Sequence, residues 1–148
     1  MNFTTKLQNA VEEFGSLLCV GLDPVLERLP ALDTTDPAEK VYFFCQQVIA
    51  ATAPHCCAYK LNTAFFEAIG SEGIQVFEKL IEHIGPKKII IADAKRGDIA
   101  HSAGQYKKAF FNTFSVDAVT LNPLMGFDTL QPFLNDPEKA IYILTLTS

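Results

Sequence analysis

Four charged side chains crowd the end of one apolar run, Ile89-Ile90-Ile91-Ala92-Asp93-Ala94-Lys95-Arg96-Gly97-Asp98-Ile99. The isoleucines read as a buried strand. Alternation along a strand puts Asp93 and Lys95 on one side, about 7 Å apart. Asp98 lies beyond the strand, after a glycine that lets the backbone turn. Lys60 sits near the end of another strand-like run, His55–Leu61, and Asp23 follows a third, Ser16–Leu22. Lys60, Asp93, Lys95 and Asp98 would together form an alternating network of two cations and two anions. Neighbouring carboxylates favour the charged form of a lysine. An ammonium fixed in this way can stabilise a developing carbanion and then protonate it. No cofactor motif accompanies the set, so the expected chemistry runs on side chains alone.

Each residue also has a plainer reading. Asp98 could be the N-cap of a following helix. Asp23 before Pro24 could be a turn residue, and Lys60 could reach past the strand end into solvent. Asp93 with Lys95 could be a structural ion pair. Arg96 is expected to be solvated, and Asn122 before Pro123 reads as a turn pairing.

Positioning such residues requires a particular arrangement of elements. Phe3, Leu7, Ala10, Val11 and Phe14 have helical spacing, and Gly15 ends that helix. The strand Ser16–Leu22 follows. Asp36 as cap, Pro37 in the first turn and Glu39 as the return arm of a capping box predict a second helix. Val41, Phe44, Cys45, Val48 and Ile49 are on its apolar face, and Pro54 stops it. After the strand His55–Leu61 and a short segment at 62–69, Gly70-Ser71 introduces a helix that Gly85-Pro86 ends. The Asp93 strand is next, then a helical pattern through Ile99, Ala103, Tyr106, Ala109 and Phe110. A strand at Asp117–Leu121, a short helix within Gly126–Leu134 and a strand at Lys139–Thr145 complete the chain.

Strand and helix alternate throughout, which predicts an α/β chain with a parallel sheet. Asp23, Lys60, Asp93 with Lys95, and Asn122 each follow a strand. Polar groups collected at the carboxyl ends of successive parallel strands are the layout of a (β/α)8 TIM barrel. Only about five strands are present, whereas such barrels usually run to about 250 residues. The expectation is that residues 1–148 are the N-terminal part of a single barrel domain. A five-stranded doubly wound fold is the alternative.

Composition excludes other classes. The 148 residues are 49% hydrophobic and 20% charged, with 12 basic against 17 acidic side chains and a net charge of −5, which fits a globular chain with a real core. Without a basic run, nucleic-acid binding is not expected. No stretch approaches the length of a membrane span, and the N-terminus lacks the pattern of a signal peptide. Cys19, Cys45, Cys56 and Cys57 lack C-x-x-C spacing and read as reduced core thiols of a cytoplasmic protein. His55, His83 and His101 have no ligand spacing, so no metal site is expected. Neither G-x-G-x-x-G nor a P-loop is present.

Val20-Gly21-Leu22-Asp23-Pro24, Tyr59-Lys60-Leu61-Asn62 and above all Asp93-Ala94-Lys95-Arg96-Gly97-Asp98-Ile99 resemble the orotidine 5′-phosphate decarboxylase family. Asp117–Pro123 and Leu144–Ser148 add weaker support. The D-x-K-x-x-D core is shared with sugar-phosphate relatives, but the D-A-K-R-G-D-I form resembles one branch of the decarboxylases. The resemblance covers the whole chain and about the first half of a family member.

The resemblance implies cofactor-free conversion of orotidine 5′-monophosphate to uridine 5′-monophosphate. Lys95 matches the lysine that stabilises and protonates C6, and Asp93 the carboxylate near the leaving group. Lys60 matches the lysine that orients the network and touches the ribose, and Asp23 the ribose-hydroxyl acid. Asp98 and Ser102 match groups that reach a neighbouring subunit's site in a homodimer. Ser148 matches a pyrimidine-contacting serine. The family's phosphate grip uses glutamine, glycine and arginine groups of later strands, none of them in this sequence. An Mg-dependent sugar-phosphate lyase, with Asp93 as a metal ligand, and an inert half-barrel are the alternatives. If Met1 is the true start, an N-terminal fusion to a phosphoribosyltransferase is excluded, while a C-terminal fusion stays open.

Overall fold

The computed structural model describes residues 1–146, apart from the side chain of Ala100. Helix α1 spans Phe3–Phe14. The Asn2 side chain caps it by accepting from the Thr5 amide, and Gly15 closes it at φ 57°, a left-handed backbone that glycine adopts without cost. Strand β1 (Cys19–Leu22) leads to α2 (Pro37–Thr52), and β2 (Ala58–Asn62) to α3 (Thr63–Glu67) and α4 (Ser71–Ile84). Strand β3 spans Ile89–Arg96; α5 (Ala100–Lys107) runs on into a π-helical segment, Lys108–Thr113. Strand β4 (Ala118–Leu121), α6 (Gln131–Leu134) and β5 (Ala140–Ile143) follow.

The cap of α2 forms as expected at one end of its box. The Asp36 carboxylate accepts from the amides of Ala38 and Glu39 at 2.7 and 3.1 Å. Glu39 does not return to the Asp36 amide. Thr34 intervenes: its hydroxyl accepts from that amide at 3.2 Å and donates to Glu39 at 2.6 Å.

All strand pairs are parallel, in the order β1-β2-β3-β4-β5. A doubly wound sheet reverses its strand order at a switch point; this sheet never does. The doubly wound alternative is therefore excluded, and the fold is a partial (β/α) barrel. Outward strand residues Leu22, Tyr59, Leu61, Ile90, Ala92, Val119 and Leu121 join Val41, Cys45, Ile49, Val76, Phe77 and Leu80 of α2 and α4 in the main core. Inward residues Ala58, Ile89, Ile91 and Ala118 form a second, smaller core with Ala10, against which Phe3, Leu7 and Val11 of α1 pack. Helix α1 thus closes the inner face below the site. Lys6 locks it there through an ion pair to the buried Asp117 at 2.5 Å.

Strands β1 and β2 each begin three residues later than their apolar runs predict, and β4 and β5 one residue later. Ala53–His55 is a 3-10 turn, and Leu18 stands just before β1, its carbonyl accepting from the amides of Cys57 and Ala58. The thiols divide likewise. All four are free thiols; Cys45, Cys56 and Cys57 are buried, but Cys19 is exposed. The expectation of four core thiols fails there because β1 is an edge strand whose inward face has no neighbour on one side.

Candidate active site

The inner face of the sheet changes character along its strands. Ala58, Ile89 and Ile91 are apolar; Lys60, Asp93, Lys95 and Thr120 follow toward the carboxyl ends. The register sets Gly21 beside Lys60, and Asn62 beside Asp93. A Cβ at Gly21 would stand 4.0 Å from the Lys60 ammonium and 3.9 Å from the Asp23 carboxylate. The glycine leaves that corner of the barrel to the charged tips.

Lys60 Nζ donates to Asp23 Oδ1 and to Asp93 Oδ2, each at 3.3 Å. Lys95 Nζ donates to Asp93 Oδ1 at 2.6 Å. The result is a continuous chain, Asp23–Lys60–Asp93–Lys95, across three strands. Asp93 is nearly enclosed, its side chain 11% exposed, whereas that of Lys95 is 49% exposed. An enclosed anion thus anchors an accessible cation. Burial alone would push the Asp93 carboxyl up, but hydrogen bonds from Lys95 and Thr120 and the charges of Lys60 and Lys95 outweigh it. They hold the group below the ordinary carboxylate value.

The backbone at Lys95 is unusual. Its φ is +48°, a left-handed conformation that L-residues with long side chains seldom adopt. It coincides with a break in the β3–β4 register: Ala92 pairs with Val119, but Arg96 pairs with Leu121. Four residues of β3 therefore advance against two of β4. The displaced Lys95 amide donates to Thr120 Oγ1 at 2.8 Å, and the same hydroxyl donates to Asp93 Oδ1 at 2.9 Å. Sequence reasoning missed Thr120, since a threonine in a strand is ordinary; its two-residue spacing from Asn122, just past the end of β4, was the available signal.

Asp98 is not in the chain of charges. Its carboxylate accepts from the neighbouring Ile99 amide at 2.7 Å, and among the described residues it makes no salt bridge. Nor is it the helix cap, because Ile99 occupies that position in α5. Asp23 instead supplies the second anion of the network. Ser102 lies exposed in the first turn of α5. Ser148 lies outside the described residues.

Arg96 turns away from the site and is not simply solvated, as its place after a strand suggested. Its guanidinium donates to the Ala94 carbonyl at 3.2 Å, pairs with Glu67, and lies over the rings of Tyr106 and Phe110. Asn122 keeps the turn role: its side chain accepts from the Leu124 amide at 3.0 Å. Its own amide donates to the Arg96 carbonyl at 2.7 Å. Among the described residues, no group of three His, Cys, Asp or Glu side chains is arranged to hold a metal ion. No helix among them is long and apolar enough to cross a membrane.

The family model for orotidine 5′-phosphate decarboxylase / HUMPS matches residues 16–148. The chain belongs to this family. A curated relative from Leptospira interrogans, named orotidine 5′-phosphate decarboxylase, is 46% identical over 100% of this chain and 54% of its own length. A crystal structure from Toxoplasma gondii superposes with a TM-score of 0.91 at 41% identity, covering 99% of this chain and 49% of that one. The Leishmania donovani OMP decarboxylase gives 0.86 at 38% identity, over 100% of this chain and 55% of that one. The chain therefore spans about half the length of the curated relatives it matches. As a half-length member of the decarboxylase family, it carries the charged chain on β1–β3 and its threonine brace on β4.

Proposed function

We propose that the protein containing this chain decarboxylates orotidine 5′-monophosphate to uridine 5′-monophosphate in de novo pyrimidine biosynthesis, in the cytoplasm and without a cofactor. Residues 1–148 would be the N-terminal part of its single barrel domain. The observation that carries the reading is the continuous Asp23–Lys60–Asp93–Lys95 chain at the carboxyl ends of three parallel strands. Family membership supports the same substrate.

In this reading the bond between C6 and the carboxylate breaks, carbon dioxide leaves, and the electron pair stays on C6. The Lys95 ammonium stabilises that carbanion and then gives it a proton; water restores the lysine. Asp93 and Lys60 hold Lys95 charged and in place before substrate arrives. The stabilisation is therefore preorganised, with no reorientation needed as charge develops. Asp23 and Lys60 meet the ribose hydroxyls. Asp98 and Ser102 serve the neighbouring site of a homodimer, which accords with an Asp98 that makes no salt bridge among the described residues and an exposed Ile99 beside it. Ser148 would contact the pyrimidine.

The test is a decarboxylation assay on the intact protein before and after exhaustive chelation. Turnover should survive chelation, and Lys95→Ala should lower kcat by about 10²–10⁴-fold or more. Mixing inactive Lys95→Ala and Asp98→Ala chains should restore about a quarter of the activity, because half of randomly formed dimers carry one intact shared site. Strict magnesium dependence would instead select a sugar-phosphate lyase.

A further inference from the structure

The hydroxyl of Thr120 occupies a position that neither backbone pairing nor core packing demands. Where β3 slips against β4, the Lys95 amide loses its ladder partner, and a side-chain acceptor takes the place of a backbone one. Thr120 Oγ1 accepts from that amide at 2.8 Å. A hydroxyl has one proton, and with the amide directed at the oxygen, that proton points to Asp93 Oδ1 at 2.9 Å. Oδ1 then receives two donors, Lys95 Nζ and Thr120, while Oδ2 receives Lys60. The carboxylate is thereby fixed in rotation about its Cβ–Cγ bond. One side chain braces both the left-handed backbone of Lys95 and the anion that orients its ammonium.

We propose that Thr120 is a positioning residue of this site, setting the placement of the Lys95 ammonium through the Lys95 backbone and the Asp93 carboxylate. Its catalytic consequence rests on the decarboxylase reading above; its structural consequence does not. Thr120 touches no reacting atom in this scheme and acts only through Lys95 and Asp93. Asp23 stands behind Lys60 on the far side of the carboxylate, so no other described side chain supplies the same brace.

The experiment compares Thr120→Val, Thr120→Ser and, should the valine fail to fold, Thr120→Ala in the intact protein. Valine keeps the branched shape and removes the hydroxyl; serine keeps the hydroxyl and removes the methyl. Loss of a hydrogen bond to a charged group should lower kcat about 10–100-fold in Thr120→Val, with KM within about threefold. Thr120→Ser should stay within about threefold of the parent kcat. A purely packing role predicts the reverse ranking, and parental kcat in Thr120→Val or equal losses in both variants would overturn the proposal. Crystal structures of the same variants give a readout independent of turnover. Retention in Thr120→Val of both the left-handed Lys95 and its contact with Asp93 would overturn the proposal even if the parent proves to act on another substrate. Their loss in Thr120→Val and retention in Thr120→Ser would sustain it even then.

Discussion

Asp93 is the residue on which the site turns, since it accepts from Lys60, Lys95 and Thr120 at once. Its carboxyl is held below the ordinary value of 3.8. A group with a depressed folded value contributes stability that is present above the unfolded value and lost as pH falls through the folded one. Resistance of the intact protein to urea should therefore decline as pH falls below about 4, and part of that acid limb should vanish in Asp93→Asn. At neutral pH the same substitution should cost about 1–3 kcal/mol, because two ammonium groups lose their shared anion. Parallel acid limbs for the two proteins would refute this account. Asp93, Lys95 and Lys60 were legible in the sequence because charge at the end of an apolar strand has few structural uses. The charge of Asp98 was equally visible, but its destination was not: a residue after Gly97 is free of strand parity, and pattern alone placed it in a network that Asp23 completes. Thr120 was invisible for the opposite reason, because threonine is a common strand former and its function depends on a register slip that no local pattern announces.

The slip between β3 and β4 is a property of the element pair, and Gly97 shows how tightly the two ends meet. A Cβ at Gly97 would lie 2.5 Å from the Asn122 carbonyl oxygen and 3.1 Å from its Cβ. The glycine is required for this close approach. Gly97→Ala should destabilise the intact protein by about 1–3 kcal/mol, read as a lowered melting temperature. It should also lower kcat, since the Asn122 amide bonds to Arg96 immediately after Lys95. An unchanged melting temperature would mean that the loop yields without loss. Helix existence and order followed from the sequence, with α1 and α4 ending at the glycines that the pattern marked. Strand starts did not, because an apolar run continues through residues such as Cys56 and Cys57 that are buried before the parallel ladder begins. Helix α5 was read as one helical pattern through Phe110, which passes from α-helical to π-helical winding at Lys108; side-chain periodicity does not separate the two over so few residues.

At the scale of the molecule, the sheet has two edges. Strands β1 and β5 each have one neighbour, so each carries unpaired backbone groups along its outer side. Apolar side chains gather near these edges: Leu17 and Leu18 before β1 are 84% and 51% exposed, and Tyr142 and Ile143 of β5 are 47% and 42% exposed. A closed barrel buries such positions against further strands. The charged chain, by contrast, is complete on β1–β3 and braced from β4. The 148-residue chain should therefore assemble the Lys95 site in outline while lacking what the rest of the barrel supplies. The resemblance assigns the phosphate grip to those later strands. Binding energy from a remote phosphate is what organises the reacting centre of a phosphorylated substrate. Expressed alone, residues 1–148 should decarboxylate orotidine 5′-monophosphate at or near background. They should also self-associate through the open edges, measurable as concentration-dependent mass in sedimentation. Addition of the later strands, in the same chain or as a second one, should restore turnover and abolish that association together, since one set of strands both covers the edges and grips the phosphate. Turnover at a full enzymatic rate by a monomeric 148-residue chain would show that the half-barrel is a sufficient catalyst and would overturn the argument from its edges.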